Sequence, residues 1–550
     1  MQNQVTYKPL QILIGLAVLV NFSGLFVTIM DPDANLYASI AKTMAENNDY
    51  VNLYFRGIDW LDKPHFPFWI TALFFEVFGF QTWVYKLPGV LSTMLGAWYT
   101  YLFAKKYYNK TIALWGVFIL LTSIHIIISN NDVRAEPFLT GLIIASVYHF
   151  SNSISKKIGI HFVIACLFAA CAVMTKGLFT LIPIGGAVVG ELIIKKKWRE
   201  LFHWRWIAAV TLITIFILPE LYCLWLQFDQ HPEKIVFGTT EVSGIQFFLW
   251  DSQFGRFFNT GPIKGKGDYL FFLHTILWAM LPWSLIMYAA LFTKLKNGFR
   301  KIKTEYNEWF TVCGSLLTLL IFSLSSFQLP HYSNIVFPFL AIICAHFIWN
   351  LVKSGKKIFA VIQHILSVLI LILLIALVII YKPSINLLFV FLLIAMLFLA
   401  LLLRLHKNES PYTPYFRSGF IISAVALFLN LSFYPSLLKY QSSTVAAYYI
   451  NNKYPGKSVA RIGSFMPSGE FYLKESTYET SFEELTNGRF KKASLFYITE
   501  QDINELKTRD IRFEILQTFD GFKITMLNLK FLNKKTRKEE LKKTYLIQLL

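Results

Sequence analysis

Two short polar segments near the N-terminus carry the side chains best suited to chemistry. The first reads Asp31-Pro32-Asp33 and opens a helical pattern that passes Tyr37 and continues through Met44. A partly desolvated carboxylate at the rim of a membrane can take a proton from an acceptor hydroxyl, so Asp33 is a candidate general base. The alternative is structural, because an aspartate in this position often caps the N-terminus of a helix.

The second segment reads Asp59-Trp60-Leu61-Asp62-Lys63-Pro64-His65. Its functional interpretation is that Lys63 binds a phosphate group as a point charge. The alternative is an interfacial anchor, in which Trp60 lies at headgroup depth and Lys63 extends towards water.

The composition indicates which elements must position these side chains. The chain has 550 residues, of which 55% are hydrophobic and 15% charged, and its mean hydropathy is +0.49. Soluble domains carry roughly 25% charged residues, so lipid is expected to be the main solvent. The net charge of +19 would suit nucleic acid. In membrane proteins, however, basic residues accumulate in cytoplasmic loops, and we expect no nucleic-acid partner.

Apolar runs long enough to cross a bilayer recur over residues 1–436, and we predict about thirteen spans. They lie near 10–30, 84–104, 111–128, 137–152, 158–175, 177–194, 205–226, 269–292, 309–326, 333–350, 359–380, 384–404 and 417–436. Gly177 and Pro183 are candidate breaks within this series.

Basic clusters follow the even-numbered spans, among them Lys105, Lys106, Lys195, Lys196, Lys197, Lys353, Lys356 and Lys357. The positive-inside rule then predicts a cytoplasmic N-terminus. It leaves outside the membrane the loops 31–85 and 228–268 and the C-terminal residues 437–550.

Residues 437–550 mix β-rich runs with helical patterns and predict a small α/β domain on the periplasmic side. The β-rich runs are Ser458–Ile462, Ser494–Ile498, Arg512–Leu516 and Phe522–Met526, and the helical stretches include Thr444–Asn452 and Glu500–Thr508. The segment from Lys534 to Lys543 is expected to be solvated or to lie near headgroups. All five cysteines lie in apolar runs without a CxxC pair, which argues against disulfides and a zinc cluster.

Further motifs follow in order over roughly residues 10–350. With Asp33 to Met44 and Trp60 to Trp69, they are Phe78-Gly79, Lys86-Leu87-Pro88, Asp132-Val133-Arg134-Ala135-Glu136-Pro137, Thr175-Lys176-Gly177, Phe254-Gly255-Arg256-Phe257, Leu281-Pro282-Trp283 and Leu329-Pro330-His331-Tyr332. This ordered set resembles the bacterial aminoarabinose transferase and protein mannosyltransferase superfamily, whose members are membrane glycosyltransferases of the GT-C fold.

The resemblance implies inverting transfer of a sugar from a polyprenyl-phosphate donor to a lipid, glycan or protein acceptor. The protein would also contact the surrounding membrane lipids. Asp33 matches the catalytic aspartate of the family, and Lys63 matches the lysine that meets the donor phosphate. Arg256 stands where the family has an arginine in the second large loop, which makes it a candidate for a second phosphate contact. The implied substrate pocket comprises Tyr37, Asp62, Arg134, Glu136, Lys176, His331 and Tyr332.

Structural alternatives remain for several of these pocket residues. Arg134 and Glu136 are also consistent with a local salt bridge at the interface. His331 and Tyr332 are also consistent with a polar hairpin tip and an aromatic belt. Lys176 is different, because an isolated lysine in an apolar run has few structural reasons to be there.

The sequence also departs from the family pattern. Ala34, Leu36 and Asp62 stand where the family has glutamate, arginine and glutamate. Gln253 occupies the place of a metal-binding histidine of the aminoarabinose transferases, and glutamine is a poor transition-metal ligand. His65 and His274 are possible substitutes, but each also fits an ordinary interfacial histidine. We therefore do not carry over the family's zinc site, and a divalent metal bound by other ligands stays an open alternative. No other cofactor is expected, and aminoarabinose transfer to lipid A is not the expected activity.

The expected location is a bacterial inner membrane. The segments expected outside contain no Asn-x-Ser/Thr sequon, which favours this membrane over the endoplasmic reticulum. The main rival function is a transporter or lipid flippase, but transporters commonly show repeated halves, and no repeat is evident. A non-catalytic assembly protein is a third possibility that leaves the first-loop motif unexplained.

Overall fold

The structure of the chain is a computed structural model that describes residues 2–300, 306–407, 410–462, 467–475, 477–486 and 494–550. Most of residues 1–436 is helical. The longer helices are Gln2–Ser23, Asp33–Asn47, Phe66–Phe78, Thr82–Tyr107, Lys110–Leu121, Ile124–Asn131, Ala135–Ser153, Ile160–Lys176, Leu181–Ile194, Arg205–Leu224, Phe271–Ala279, Ser284–Phe299, Phe310–Leu324, Phe337–Lys353, Ile358–Tyr381, Leu387–Leu402 and Thr413–Phe428.

Short helical turns join or extend these helices. They are Gly24–Phe26, Leu178–Thr180, Trp198–Leu201, Trp225–Asp229, Gly244–Gln246, Phe247–Gly255, Arg256–Phe258, Pro330–Val336, Leu429–Phe433, Tyr434–Leu437 and Leu438–Tyr440. In the first loop, strands β1 (Tyr54–Phe55) and β2 (Ile58–Asp59) pair as an antiparallel hairpin.

Within the described residues, five helical segments are long and apolar enough to cross a membrane, so the protein is a multi-pass membrane protein. They are Lys8–Phe26, Trp198–Asp229, Pro330–Lys353, Ile358–Tyr381 and Thr413–Tyr440. A bent pair, Lys110–Leu121 with Ile124–Asn131, adds a sixth crossing if it counts as one span. Further apolar helices of 10–17 residues accompany them. The number thirteen therefore stays a prediction.

Several expected spans are broken. The run near 111–128 bends by 52° between Leu121 and Ile124. The run near 269–292, predicted as one helix, is instead two, because the chain leaves the helix around Leu281-Pro282 and proline cannot donate the next hydrogen bond. Gly177 ends helix Ile160–Lys176 with a φ of 87°, as its sequence position predicted.

Buried amide side chains tie the broken helices together. Asn21 Nδ2 donates to the carbonyl of Leu121 at 2.9 Å, where the bent pair begins its break. Asn130 Nδ2 donates to Asn21 Oδ1, and Asn131 Nδ2 donates to Asn430 Oδ1, both at 2.7 Å. Backbone groups released inside a membrane need such partners, because no water is present to replace the lost bonds.

The C-terminal segment forms a five-stranded mixed sheet. Its strands are β3 (Val459–Ile462), β4 (Thr477–Thr480), β5 (Leu495–Thr499), β6 (Phe513–Gly521) and β7 (Lys542–Leu549), in the spatial order β4-β3-β5-β7-β6. Strand β3 is parallel to β4 and β5, and β7 is antiparallel to β5 and β6. The accompanying helices are Ser442–Lys453, Pro467–Tyr472, Phe482–Thr486, Glu500–Thr508, Leu529–Leu532 and Arg537–Glu540.

One expectation for this segment is wrong. Phe522–Met526 is not a strand, because β6 ends at Gly521 and the chain then turns. In the segment from Lys534 to Lys543 the lysine side chains are exposed, as expected, although Lys542 and Lys543 also begin β7 and pair with β6. Arg537 in this segment is buried and donates to the carbonyl of Tyr381 at 2.8 Å.

The C-terminal segment is docked onto the helix that begins at Asp33. The carboxylate of Asp31 accepts hydrogen bonds from the hydroxyls of Ser443 and Ser468, each at 3.0 Å. Lys42 Nζ donates to the carbonyls of Phe471 (3.2 Å) and Leu473 (2.8 Å). Burial at this junction raises the pKa of Asp31 to about 6, although the serine hydroxyls oppose the shift.

Candidate active site

Asp33 is the first residue of helix Asp33–Asn47, and Pro32 precedes it at the cap position. Its carboxylate does not cap the helix; Oδ2 accepts a hydrogen bond from Arg134 Nη1 at 2.5 Å. The capping interpretation is therefore wrong. The side chain of Asp33 is 49% exposed, so a hydroxyl arriving from outside the protein can reach it. The helix dipole also favours a negative charge at this terminus.

Arg134 precedes helix Ala135–Ser153 and joins two carboxylates. Its second terminal nitrogen, Nη2, lies 2.6 Å from Asp132 Oδ2. Burial disfavours the charge on this guanidinium, but the fields of Asp132 and Asp33 outweigh it and raise the pKa of Arg134. Arg134 is thus a fixed positive charge that orients Asp33.

Asp62 and Lys63 follow the β1–β2 hairpin and meet Arg256 from the second loop. The carboxylate of Asp62 contacts both Lys63 and Arg256. The guanidinium carbon of Arg256 also lies 5.6 Å from the ring centroid of Phe327. Burial lowers the pKa of Lys63 to about 8, against the opposing fields of Asp33 and Glu136. Two cations from distant loops are therefore held side by side by one carboxylate.

Glu136 and Lys176 pair between two adjacent helices. Glu136 is 2% exposed and accepts a hydrogen bond from Lys176 at the end of helix Ile160–Lys176. Lys176 Nζ lies 3.6 Å from the ring centroid of Tyr332, and His331 Nε2 lies 3.7 Å from the Glu136 carboxylate. Arg134 and Glu136 do not form a salt bridge with each other. Arg134 contacts Asp33 and Asp132, whereas Glu136 contacts Lys176.

All ten side chains that the sequence singled out line one cavity of about 220 Å³. They are Asp33, Tyr37, Asp62, Lys63, Arg134, Glu136, Lys176, Arg256, His331 and Tyr332. Four are lysines or arginines and three are carboxylates, so these seven groups leave one positive charge in excess. A polar cavity with this balance suits a ligand that carries a single negative charge.

A second cavity of about 90 Å³ adjoins the first and is largely apolar. Its lining includes Leu61, Leu139, Phe179, Leu224, Phe247, Phe248 and Ile335. Six residues line both cavities: Asp62, Lys63, Lys176, Arg256, Phe327 and Tyr332. The cations therefore stand where a cavity lined by seven charged side chains, named the polar cavity, meets one lined by ten apolar side chains, named the apolar cavity.

Sequence reasoning missed several residues of these chambers. Trp60, Ile263, Phe327 and Leu329 line the polar cavity, and no local pattern marked them as pocket residues. Glu220 lines the apolar cavity and is fully buried. An acidic residue inside the apolar run 205–226 was a usable signal, because such residues are rare in spans and usually functional or paired.

The three side chains considered at the metal position, Gln253, His65 and His274, lie in different parts of the structure. Gln253 lines the apolar chamber, and its Nε2 donates to the carbonyl of Lys176 at 3.1 Å. His65 is buried and bonds Glu220 through Nδ1 at 3.0 Å and Val51 O through Nε2 at 2.9 Å. His274 is half exposed near Asp268. Over the ranges that the structure describes, no three His, Cys, Asp or Glu side chains are grouped as a metal site.

The sequence matches one family profile and several bacterial glycosyltransferases. The profile of the family described as dolichyl-phosphate-mannose-protein mannosyltransferase matches residues 62–223. The undecaprenyl phosphate-alpha-4-amino-4-deoxy-L-arabinose arabinosyl transferase of Edwardsiella ictaluri is 24% identical over 60% of this chain and 57% of its own. The protein of that name from Pseudomonas aeruginosa is 24% identical over 65% of this chain and 62% of its own. These matches span less than two thirds of the relatives' lengths.

The fold likeness extends further than the sequence likeness. The crystal structure of ArnT from Cupriavidus metallidurans bound to undecaprenyl phosphate superposes with a TM-score of 0.72, covering 98% of this chain and 97% of that one at 17% identity. Its apo state gives a TM-score of 0.70. The chain is thus similar to the mannosyltransferase family over residues 62–223 and has the fold of ArnT over nearly its whole length.

Proposed function

We propose that this protein is an inverting glycosyltransferase that moves a sugar from a polyprenyl-phosphate donor to an acceptor on the outer face of a bacterial inner membrane. The acceptor is a lipid, a glycan or a protein. The observation that carries the proposal is the row of cations, Lys63, Lys176 and Arg256, where the polar cavity meets the apolar one. A polyprenyl-phosphate sugar has the same order of parts: an apolar tail, a phosphate and a polar sugar.

The charges of the site support transfer rather than binding alone. The phosphodiester of the donor carries one negative charge, and the phosphate gains a second as the bond from the anomeric carbon to the phosphate oxygen breaks. Lys63 and Arg256 are fixed before the reaction, so they stabilise this developing charge more than they stabilise the ground state. Asp62 holds the two cations side by side.

Asp33 is proposed as the general base. Its carboxylate lines the polar cavity but not the apolar one, so it stands away from the proposed path of the prenyl tail. It takes the proton of the acceptor hydroxyl as that oxygen bonds the anomeric carbon on the face opposite the departing phosphate. Configuration at that carbon is thereby inverted. Arg134 keeps the carboxylate oriented.

The similar proteins support the donor class. The names of the bacterial relatives specify undecaprenyl phosphate-linked aminoarabinose, and one ArnT structure contains undecaprenyl phosphate. The departures at Ala34, Leu36 and Gln253 speak against assigning the same sugar and acceptor to this protein. No metal is assigned a step.

The proposed topology has about thirteen crossings, a cytoplasmic N-terminus and residues 437–550 in the periplasm. The alternation of basic loops supports it, as does the docking of the C-terminal segment on Asp31 and Lys42 beside the site. A cysteine at exposed Lys457, in a background without the native cysteines, should react with an impermeant maleimide in intact spheroplasts. Protection there, with labelling only after lysis, would reverse the orientation.

The activity is tested with purified protein in lipid, a panel of polyprenyl-phosphate sugars and candidate acceptors analysed by mass spectrometry. The proposal expects release of polyprenyl phosphate and an acceptor heavier by one sugar. Movement of the intact donor across vesicles without sugar transfer would instead identify a flippase. A panel that is bound but neither cleaved nor moved would favour a non-catalytic assembly protein.

A further inference from the structure

A third cavity, of about 320 Å³, lies at the opposite end of the helices from Asp33. It is bordered by the end of helix Leu181–Ile194, the end of helix Ser284–Phe299 and the start of helix Phe310–Leu324. Its lining is mostly polar and includes Lys195, Lys294, Asn297, Asn307, Glu308, His346 and Asn350. None of these residues belongs to the candidate active site.

An apolar groove of about 880 Å³ continues from this cavity along helices Leu181–Ile194 and Phe310–Leu324. Ile194, Gly298 and Trp309 line both spaces, so the groove and the polar cavity are contiguous. The groove is lined by aliphatic side chains such as Val189, Leu316 and Leu320, together with glycines. A polar chamber joined to a long apolar groove has the shape of a lipid headgroup with its chains.

The charges that line the 320 Å³ cavity favour an anionic headgroup. Glu308 is buried, and its negative charge is compensated by Lys294, which contacts it directly. The Glu308 carboxylate also accepts from Tyr108 Oη at 2.5 Å and from Thr311 N at 3.0 Å. Lys195 Nζ donates to the backbone carbonyl of Asn307 at 2.5 Å and also lies in the field of Glu191, four residues earlier. Lys195 lines the cavity together with Asn297 and Asn350, where a phosphate would meet all three side chains.

We propose that this cavity and groove form a binding site for a diacyl phospholipid of the leaflet opposite the candidate active site. The phosphate contacts Lys195, the remainder of the headgroup occupies the polar chamber, and an acyl chain lies in the groove past Gly185 and Val189. Trp309 separates the two compartments at headgroup depth, where tryptophan is favoured. The site is structural or regulatory and is independent of the proposed sugar transfer.

The test uses the full-length protein in nanodiscs with phosphatidylglycerol that carries a photoreactive group in one acyl chain. After irradiation, mass spectrometry of peptides should find crosslinks concentrated on helices Leu181–Ile194 and Phe310–Leu324. A Cβ on Gly185 meets nothing within 4 Å, so Gly185→Trp fills the groove without a backbone clash and should abolish these crosslinks. Val189→Trp provides a second block if the first variant fails to fold. Gly15→Trp, at an equally open glycine of the first helix, is the matched control and should leave them unchanged.

Headgroup recognition is tested by competition. Lys195→Gln should weaken phosphatidylglycerol binding about tenfold, the effect of losing one charge-assisted hydrogen bond. The neighbouring Lys196→Gln, which does not line the chamber, should have little effect. Diacylglycerol and undecaprenyl phosphate should both compete poorly. Equal crosslinking of the exposed helix Ile358–Tyr381, equal competition by diacylglycerol, or equal competition by undecaprenyl phosphate would each overturn the proposal.

Discussion

Replacement of Asp33 by asparagine tests the proposed chemistry most directly. The amide keeps the shape of the side chain and can still accept a hydrogen bond from Arg134, but it cannot take a proton. General-base catalysis contributes about 10²–10⁴-fold to a rate, which corresponds to about 3–5 kcal/mol in the activation barrier. Because Asp33 lines only the polar cavity, the KM for the donor should change by less than about threefold (about 0.7 kcal/mol).

Asp132→Asn is the matched control for this experiment. Asp132 contacts the same arginine at 2.6 Å, yet it does not line the polar cavity. Asp132→Asn removes one negative charge from the Asp33–Arg134–Asp132 group, as Asp33→Asn does. It should lower kcat by less than about tenfold, because one partly exposed ion pair contributes about 1 kcal/mol or less. Release of polyprenyl phosphate is followed under saturating donor. Equal losses in the two variants would mean that Asp33 only holds Arg134, and an Asp33→Asn enzyme at near wild-type rate would exclude the base role entirely.

Four further predictions concern binding, stability and metals. Because the pKa of Lys63 is lowered to about 8, donor KM should rise as the pH passes 8, and Lys63→Arg should flatten that profile; a pH-independent wild-type KM would contradict a phosphate contact. The pKa of Asp31 is raised from 3.8 to about 6, which means that the folded protein favours the protonated carboxyl. The stabilisation from this protonated form is complete below pH 4 and is lost as the pH rises through 6. The unfolding free energy of the wild type relative to Asp31→Asn should fall by about 3 kcal/mol over that interval, measured by denaturation at both pH values. Gly177→Ala should destabilise by about 1–3 kcal/mol, because φ is 87° and the new Cβ would meet Gln253 Nε2 at 2.4 Å, whereas Gly185→Ala should be nearly neutral in the same melting assay. Because Gln253 stands where the resemblance implies a histidine ligand, the proposed sugar transfer should survive a chelator; loss of activity that Zn²⁺ restores would show a metal requirement.

The sequence predicted the candidate site better than the details of the fold. Polar residues inside or beside apolar runs stand out in a membrane protein, because burying them without a partner is costly. Lys176 was recognisable for that reason, whereas Lys63 stood out as a basic residue of the first loop and Arg256 only through the family resemblance. The structure brings all three to one boundary. The partner of Asp33 was not predictable, because Arg134 lies a hundred residues away and only the fold brings the two together.

The errors in the C-terminal segment have a different physical origin. Short β-rich runs indicate strands but not their partners, and β7 forms because it lies between β5 and β6 in space. A lysine-rich opening to that strand conceals it from composition, although residues 544–549 of β7 are all buried or half buried. Strand pairing over long sequence distances depends on the assembled core, which no local pattern contains.

The junction at Asp31 and Lys42 has a consequence for the timing of synthesis. The hydroxyls and carbonyls that hold the first loop come from residues 443–473, which leave the ribosome after every apolar helix has been made. The helix that begins at Asp33 can gain these contacts only after the final segment of the chain has emerged and folded against it. A prematurely terminated chain would lack them, so an incomplete copy should be less active in the proposed sugar transfer.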